Sequence, residues 1–186
     1  MKMKLITTIS VILILSNHIY SQNQDELVKS IRKNYVELQS KISTYKKVVT
    51  DQAYEQAGCN TSITTYYNGN SIVRMEDSVF CFMDENHMES FQFNFKDGAL
   101  FFVFEKEFDD SYAENGEDYY SKLERRIYIS DGKIVEVLKK QTHDKNVDLA
   151  SLKNESDVEF LKSKEKEMQK LLEHYNQLNK AILDKK

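Results

Sequence analysis

The chain has 186 residues, 40% apolar and 30% charged, with a formal charge of −4. That is enough apolar material to bury a core in one domain of ordinary size, and too much for a disordered chain. The acidic balance removes the electrostatic basis for holding nucleic acid or anionic membrane surfaces.

Met1 to Ser21 has the layout of a secretory signal peptide: Lys2 and Lys4, an apolar run from Leu5 to Leu15, then Ile19-Tyr20-Ser21 as a cleavage site before Gln22. The run is too short to cross about 30 Å of hydrocarbon, and no Cys follows the site to carry a lipid anchor. The expected mature chain, residues 22–186, is one exported domain, periplasmic or secreted, with no membrane insertion after cleavage. Losing Lys2 and Lys4 from 26 basic residues leaves 24 against 30 acidic ones, a charge of −6.

Asp25 to Val48 is predicted to be a helix, with Leu27, Ile31, Tyr35, Leu38, Ile42 and Tyr45 as its apolar stripe. Lys29, Arg32, Lys33, Glu37 and Lys41 fall off that stripe and belong in solvent. Val48 to Tyr54 reads as an extended segment entering a sheet.

Three hairpins follow. Thr61 to Tyr67 and Ser71 to Asp77 turn at Asn68-Gly69-Asn70, with Val79 to Met83 as an extension. Met88 to Lys96 and Ala99 to Phe108 turn at Asp97-Gly98, and Leu123 to Ser130 and Lys133 to Gln141 turn at Asp131-Gly132. For a two-residue loop Phe95 faces Leu100, Phe93 faces Phe102 and Phe91 faces Phe104. The six side chains then share one surface. In the third hairpin Ile129 faces Ile134 and Tyr128 faces Val135.

Cys59 and Cys81, the two Cys of the chain, flank the first turn nearly symmetrically. An even count in an exported chain predicts a disulfide, and folding back at Gly69 brings the pair close to opposite, within a residue or two of bulge. Such a bond stabilises by roughly 3 kcal/mol in the chain-entropy model. The expected role is a structural staple, because the CxxC proximity of redox pairs is absent.

Asp109 to Tyr120 is an acidic, Tyr-rich loop without the ligand alternation of an EF-hand. Thr142 to Asn154 is a polar linker. The last helix runs from Ser156, where Ser156-Asp157-Val158-Glu159 has capping-box form, to Leu183. Leu161, Met168, Leu171, Leu172, Tyr175, Leu178 and Ile182 share one face. The expected fold is α+β: an antiparallel meander of about six strands flanked by an N-terminal and a C-terminal amphipathic helix.

His87, His143 and His174 have no second His or Cys at metal-ligand spacing, so no metal site is predicted. No nucleophile elbow, HExxH, SxxK or P-loop pattern occurs, so no catalytic residue or cofactor is assigned. Glu105, Glu107, Glu124 and Glu136 are expected to pair across strands with Arg125, Arg126, Lys106 or Lys139.

The signal ending Tyr20-Ser21-Gln22, the strand Glu124-Arg125-Arg126-Ile127-Tyr128 and the turn Ser130-Asp131-Gly132-Lys133-Ile134 resemble uncharacterised small exported proteins of Bacteroidetes-type bacteria. Those proteins combine a helix, a meander of Tyr/Phe-rich hairpins and a terminal helix. The resemblance implies an envelope location and no activity.

The reading that results is a non-enzymatic binding protein that meets another envelope or extracellular protein through an aromatic sheet face. Phe101, Val103, Tyr128, Val135 and Val137 are the expected contact surface, because apolar residues lie on both sides of the second and third hairpins. The alternative is a carrier of a small apolar or lipid-like ligand between sheet and helix, which requires a cavity. An uncharacterised hydrolase is third.

Overall fold

The structure, a computed structural model, describes residues 24–53, 59–81, 86–112 and 118–183. The predicted signal peptide, Met1 to Ser21, and the centre of the predicted acidic loop, Asn115-Gly116, lie outside the described residues. Residues 24–41 form helix α1, followed by a 3-10 turn at Ile42–Thr44. Eight strands follow as β1 (Lys46–Ala53), β2 (Cys59–Asn68), β3 (Ser71–Cys81), β4 (Asn86–Lys96), β5 (Ala99–Tyr112), β6 (Asp118–Ser130), β7 (Lys133–Thr142) and β8 (Glu155–Ser156). The helices α2 (Val158–Lys162) and α3 (Lys164–Leu183) close the fold. The strands lie in sequence order in one sheet, each antiparallel to the next.

The α+β meander is as expected, but it has eight strands rather than six. α1 stops near Lys41, seven residues before the predicted end at Val48, and the segment around the β-branched run Val48-Val49-Thr50 pairs with β2 as β1. β8 adds two residues against Leu138 and Lys139. Much of the predicted acidic loop is strand as well, since β5 reaches Tyr112 and β6 starts at Asp118. The last helix is broken at Ser163. Its cap is Asp157, whose carboxylate accepts from Phe160 N, not Ser156.

The turns have the predicted chemistry. Asp97-Gly98 and Asp131-Gly132 both have positive φ at each residue, 53° and 79°, then 52° and 69°, as a type I′ turn requires. In each of the three hairpins, however, the second strand has one extra residue just past the turn. The registers shift between Tyr66 and Tyr67, between Asn94 and Phe95, and between Tyr128 and Ile129. The extra residues are Val73, Phe101 and Val135, and all three pack in the cluster beneath α1. A bulge of this kind moves every following side chain of its strand to the opposite face. Phe93 therefore faces Val103 rather than Phe102, Phe91 faces Glu105 rather than Phe104, and Tyr128 faces Glu136 rather than Val135.

The predicted single Phe surface is thus divided. Phe91, Phe93, Phe95, Leu100 and Val103 lie with Met168, Leu171, Leu178 and Ile182 in the core under α3. Phe101, Phe102, Phe104 and Tyr128 lie with Val28, Ile31, Leu38 and Tyr35 in the core under α1. Helix α1 crosses the bulged strands obliquely. Gln24 Nε2 donates to Val135 O at 2.7 Å, Arg32 Nε to Tyr128 Oη at 3.2 Å and Tyr35 Oη to Gln92 Oε1 at 3.2 Å. Arg74, 2% exposed, donates to Gln39 Oε1 at 2.9 Å and to Asn94 Oδ1 at 2.8 Å.

These helices correct the expected contact surface. Phe101, Val103, Tyr128 and Val137 are at most 8% exposed, and Val135 is half-buried against α1. Val103 and Val137 belong to the α3 core and the other three to the α1 core. They hold the two helices to the sheet and are not a free face.

Candidate functional site

Directly opposed residues of an antiparallel sheet share a face, so the registers arrange the α3 side as rows. The row nearest the turns, Thr65, Met75, Phe93, Val103, Ile127 and Val137, is fully apolar apart from Thr65 and is sealed by α3. The next row is Ile63, Asp77, Phe91, Glu105, Arg125 and Lys139. Charge enters the sheet here, and a cleft of about 530 Å³ opens between this row and helices α2 and α3. Its floor is Phe91, Glu105, Arg125 and Lys139. Its helical wall includes Phe160, Glu167, Leu171 and His174.

Arg125 is held between two carboxylates. Its Nη1 reaches both Glu105 oxygens at 2.6 and 2.7 Å, its Nε reaches Asp157 Oδ2 at 2.9 Å, and the guanidinium lies 4.9 Å from the Phe160 ring centre. Lys139 is 3.8 Å from Asp157 Oδ1. Burial pushes Glu105 up and Arg125 only partly offsets it, so its pKa stays above the ordinary carboxylate value. Burial alone would raise Asp157 too, but Arg125, the Phe160 N–H and Lys139 together hold it below. Burial would likewise lower Arg125, and Glu105 and Asp157 reverse that. This arrangement pins the start of α2 to the sheet. The expected cross-strand pairing is realised for Glu105 with Arg125 and for Glu124 with Lys106 at 3.8 Å, while Arg126 at 3.1 Å meets Glu124 along their own strand.

At the cleft wall His174 Nε2 lies 2.9 Å from Asp77 Oδ2 and its ring packs on Phe91 and Phe93. Asp77 Oδ1 is buried with no hydrogen-bond partner among the described residues. Including Glu89 and Glu159, the lining holds five carboxylates against three cations, Arg125, Lys139 and Lys170.

The row farthest from the turns is Cys59, Cys81, His87, Asp109 and Ser121. The disulfide expected between Cys59 and Cys81 is present, with Cα atoms 4.0 Å apart in directly opposed positions. His87 Nδ1 is hydrogen-bonded to Asp109 Oδ1. Sequence reading missed both histidine–aspartate pairs, because Asp77 and Asp109 are 97 and 22 residues from their partners. Among the described residues no group of three or more His, Cys, Asp or Glu is placed to hold a metal ion. No helix among them is long and apolar enough to cross a membrane. No family model, curated protein or solved structure matches the chain.

Proposed function

We propose that the chain is an exported, non-enzymatic binding protein that takes a small organic cation with an apolar portion into the cleft under α3. The observation that carries this reading is Arg125 held between two carboxylates. The one guanidinium in the described lining is neutralised by Glu105 and Asp157, and Glu159 and Glu167 carry Lys162 and Lys170, so the acid left over in the lining is Glu89, between the Phe91 floor and the Phe160 wall. A desolvated cation beside aromatic faces and acids is the chemistry that such a lining favours.

Export rests on the leader-like first 21 residues and on a disulfide, which persists in oxidising compartments. The resemblance to exported Bacteroidetes-type proteins supports the same location. A protein partner held on a bare aromatic sheet is no longer favoured, because α1 and α3 occupy that surface.

Native mass spectrometry of protein purified gently from the exporting cell, with calorimetric titration of organic amines against matched neutral and anionic compounds, tests the proposal. Amines should bind in preference, weaken with salt, and lose several-fold in affinity in Glu89→Gln. Preference for anions, or indifference to charge, would refute it.

A further inference from the structure

The distal row has a chemistry that the binding reading does not use. Cys59 and Cys81 are bonded across β2 and β3, His87 on β4 stands directly opposite Cys81, and Asp109 on β5 stands directly opposite His87. Opposed residues have Cβ atoms about 4.5–5.5 Å apart, so the His87 and Cys81 side chains stand side by side on one face of the sheet. The Nδ1 of the His87 imidazole is engaged by Asp109, which leaves Nε2 as the nitrogen not taken up by the carboxylate. Both cysteines are half-buried and the His87 side chain is 33% exposed, so the row is partly open to solvent. Sequence separation argued against redox chemistry here, and the fold supplies the proximity that the sequence lacks.

We propose that Cys59–Cys81 is a thiol–disulfide exchange site, with His87 as the proton donor to Cys81 and Asp109 as its positioning residue. The substrate class is an accessible thiol. A substrate thiolate attacks Sγ of Cys59. The S–S bond breaks, its electron pair goes to Sγ of Cys81, and that sulfur takes the proton from His87 Nε2. A mixed disulfide now joins Cys59 to the substrate. A second substrate thiolate attacks the substrate sulfur of this bond and releases Cys59 as a thiolate, which is then protonated. Two thiols become one disulfide, and the cysteine pair takes up two electrons and two protons. Attack at Cys59 is preferred because the leaving sulfur is then the one beside the imidazolium, and a better-stabilised leaving thiolate departs faster.

The electrostatics agree. Burial lowers the basicity of His87, but its hydrogen bond to Asp109, the charge of Asp109 and the nearby Glu89 and Glu107 outweigh burial and hold its pKa above the ordinary value. The imidazolium is thereby more populated at neutral pH than for a free histidine. Lysine and arginine are absent from the described part of this row, so the positive charge beside the sulfur is that of His87.

The test is the rate at which reduced glutathione opens the disulfide in the folded mature chain, read by alkylation trapping and mass spectrometry between pH 5 and 8. Wild type should open without denaturant, with the glutathione adduct on Cys59. The rate constant per glutathione thiolate should fall as pH rises through the His87 titration. His87→Gln should slow opening tenfold or more and abolish that pH dependence, and Asp109→Asn should slow it several-fold and move the dependence to lower pH. His143→Gln serves as the control and should change nothing. Opening only at the rate of global unfolding, a glutathione adduct on Cys81, or equal rates in wild type, His87→Gln and Asp109→Asn would each overturn the proposal. The wild-type adduct position and pH profile stand as tests even if a variant fails to fold.

Discussion

Replacing Arg125 by Met retains most of the aliphatic stem while removing the guanidinium that lies against Phe160. Two carboxylates then lose their main partner, Glu105 with its side chain 9% exposed and Asp157 with 4%. Removing one partner of a buried ion pair costs about 3–5 kcal/mol, because the desolvated charge is left uncompensated. Two features favour the lower end. Asp157 keeps the Phe160 N–H at 3.2 Å and Lys139 at 3.8 Å, and the Arg125 side chain is itself 18% exposed, so water reaches part of the site. The expected loss is about 3 kcal/mol, or about 6–12 °C in melting temperature for a chain of this size. Urea unfolding at pH 7, followed by circular dichroism, measures it as a lower midpoint with an unchanged slope. Adding Glu105→Gln to Arg125→Met should recover more than half of the loss, since a neutral amide has no charge to compensate. A loss below about 1 kcal/mol, or no recovery in the double variant, would show that Arg125 is not compensating buried charge.

Two further outcomes are expected. Glu105 has a raised folded pKa, so the folded state holds its proton longer than the unfolded one, and stability falls as pH rises from about 4.3 through that raised value. Asp157 is depressed, so its contribution is complete above about pH 3.9 and is lost as pH falls toward the folded value. Unfolding free energy measured from pH 3 to 7 should show both limbs, and Glu105→Gln should remove only the upper one. Gly98→Ala places a Cβ with nothing within 4 Å, so its cost is that of holding Ala at φ +79°, about 1–2 kcal/mol by the same denaturation assay. A neutral result would mean that the turn does not need a left-handed residue there.

The turn chemistry, the disulfide, the antiparallel order and most of both amphipathic stripes were legible because each depends on local residue type or on period, though Leu172 is 40% exposed and Val28, outside the predicted stripe, is buried. The bulges were not. Nothing about Val73, Phe101 or Val135 distinguishes them from ordinary strand residues, yet each moves the rest of its strand by one position. Without the Phe101 bulge, Asp109 would lie opposite Asn86 and His87 opposite Phe108. With it, His87 and Asp109 meet. The Val73 bulge likewise puts Cys59 opposite Cys81 rather than Phe80. The aromatic contact surface failed for a related reason: apolar residues on both faces of a sheet predict two coverings, and α1 and α3 supply them.

The registers of β3 with β4 and of β5 with β6 begin only at Arg74–Asn94 and Phe102–Tyr128, beyond the bulges. On the turn side of that line the second and third hairpins are bonded to themselves alone and the first has one further pair, Lys46 with Tyr67 of β2, so the sheet ends in three separate fingers that rest on the helices. An amide there is guarded by one neighbouring strand where a mid-sheet amide is flanked by two. Opening a finger breaks only its own short ladder and leaves the other hairpins paired. Hydrogen exchange should therefore divide each of these strands at its bulge, with Lys96–Leu100 and Ser130–Ile134 exchanging well before Phe102–Glu107. The same line gives the protein a soft rim over a rigid middle, with the cleft and the cysteine row both on the rigid side.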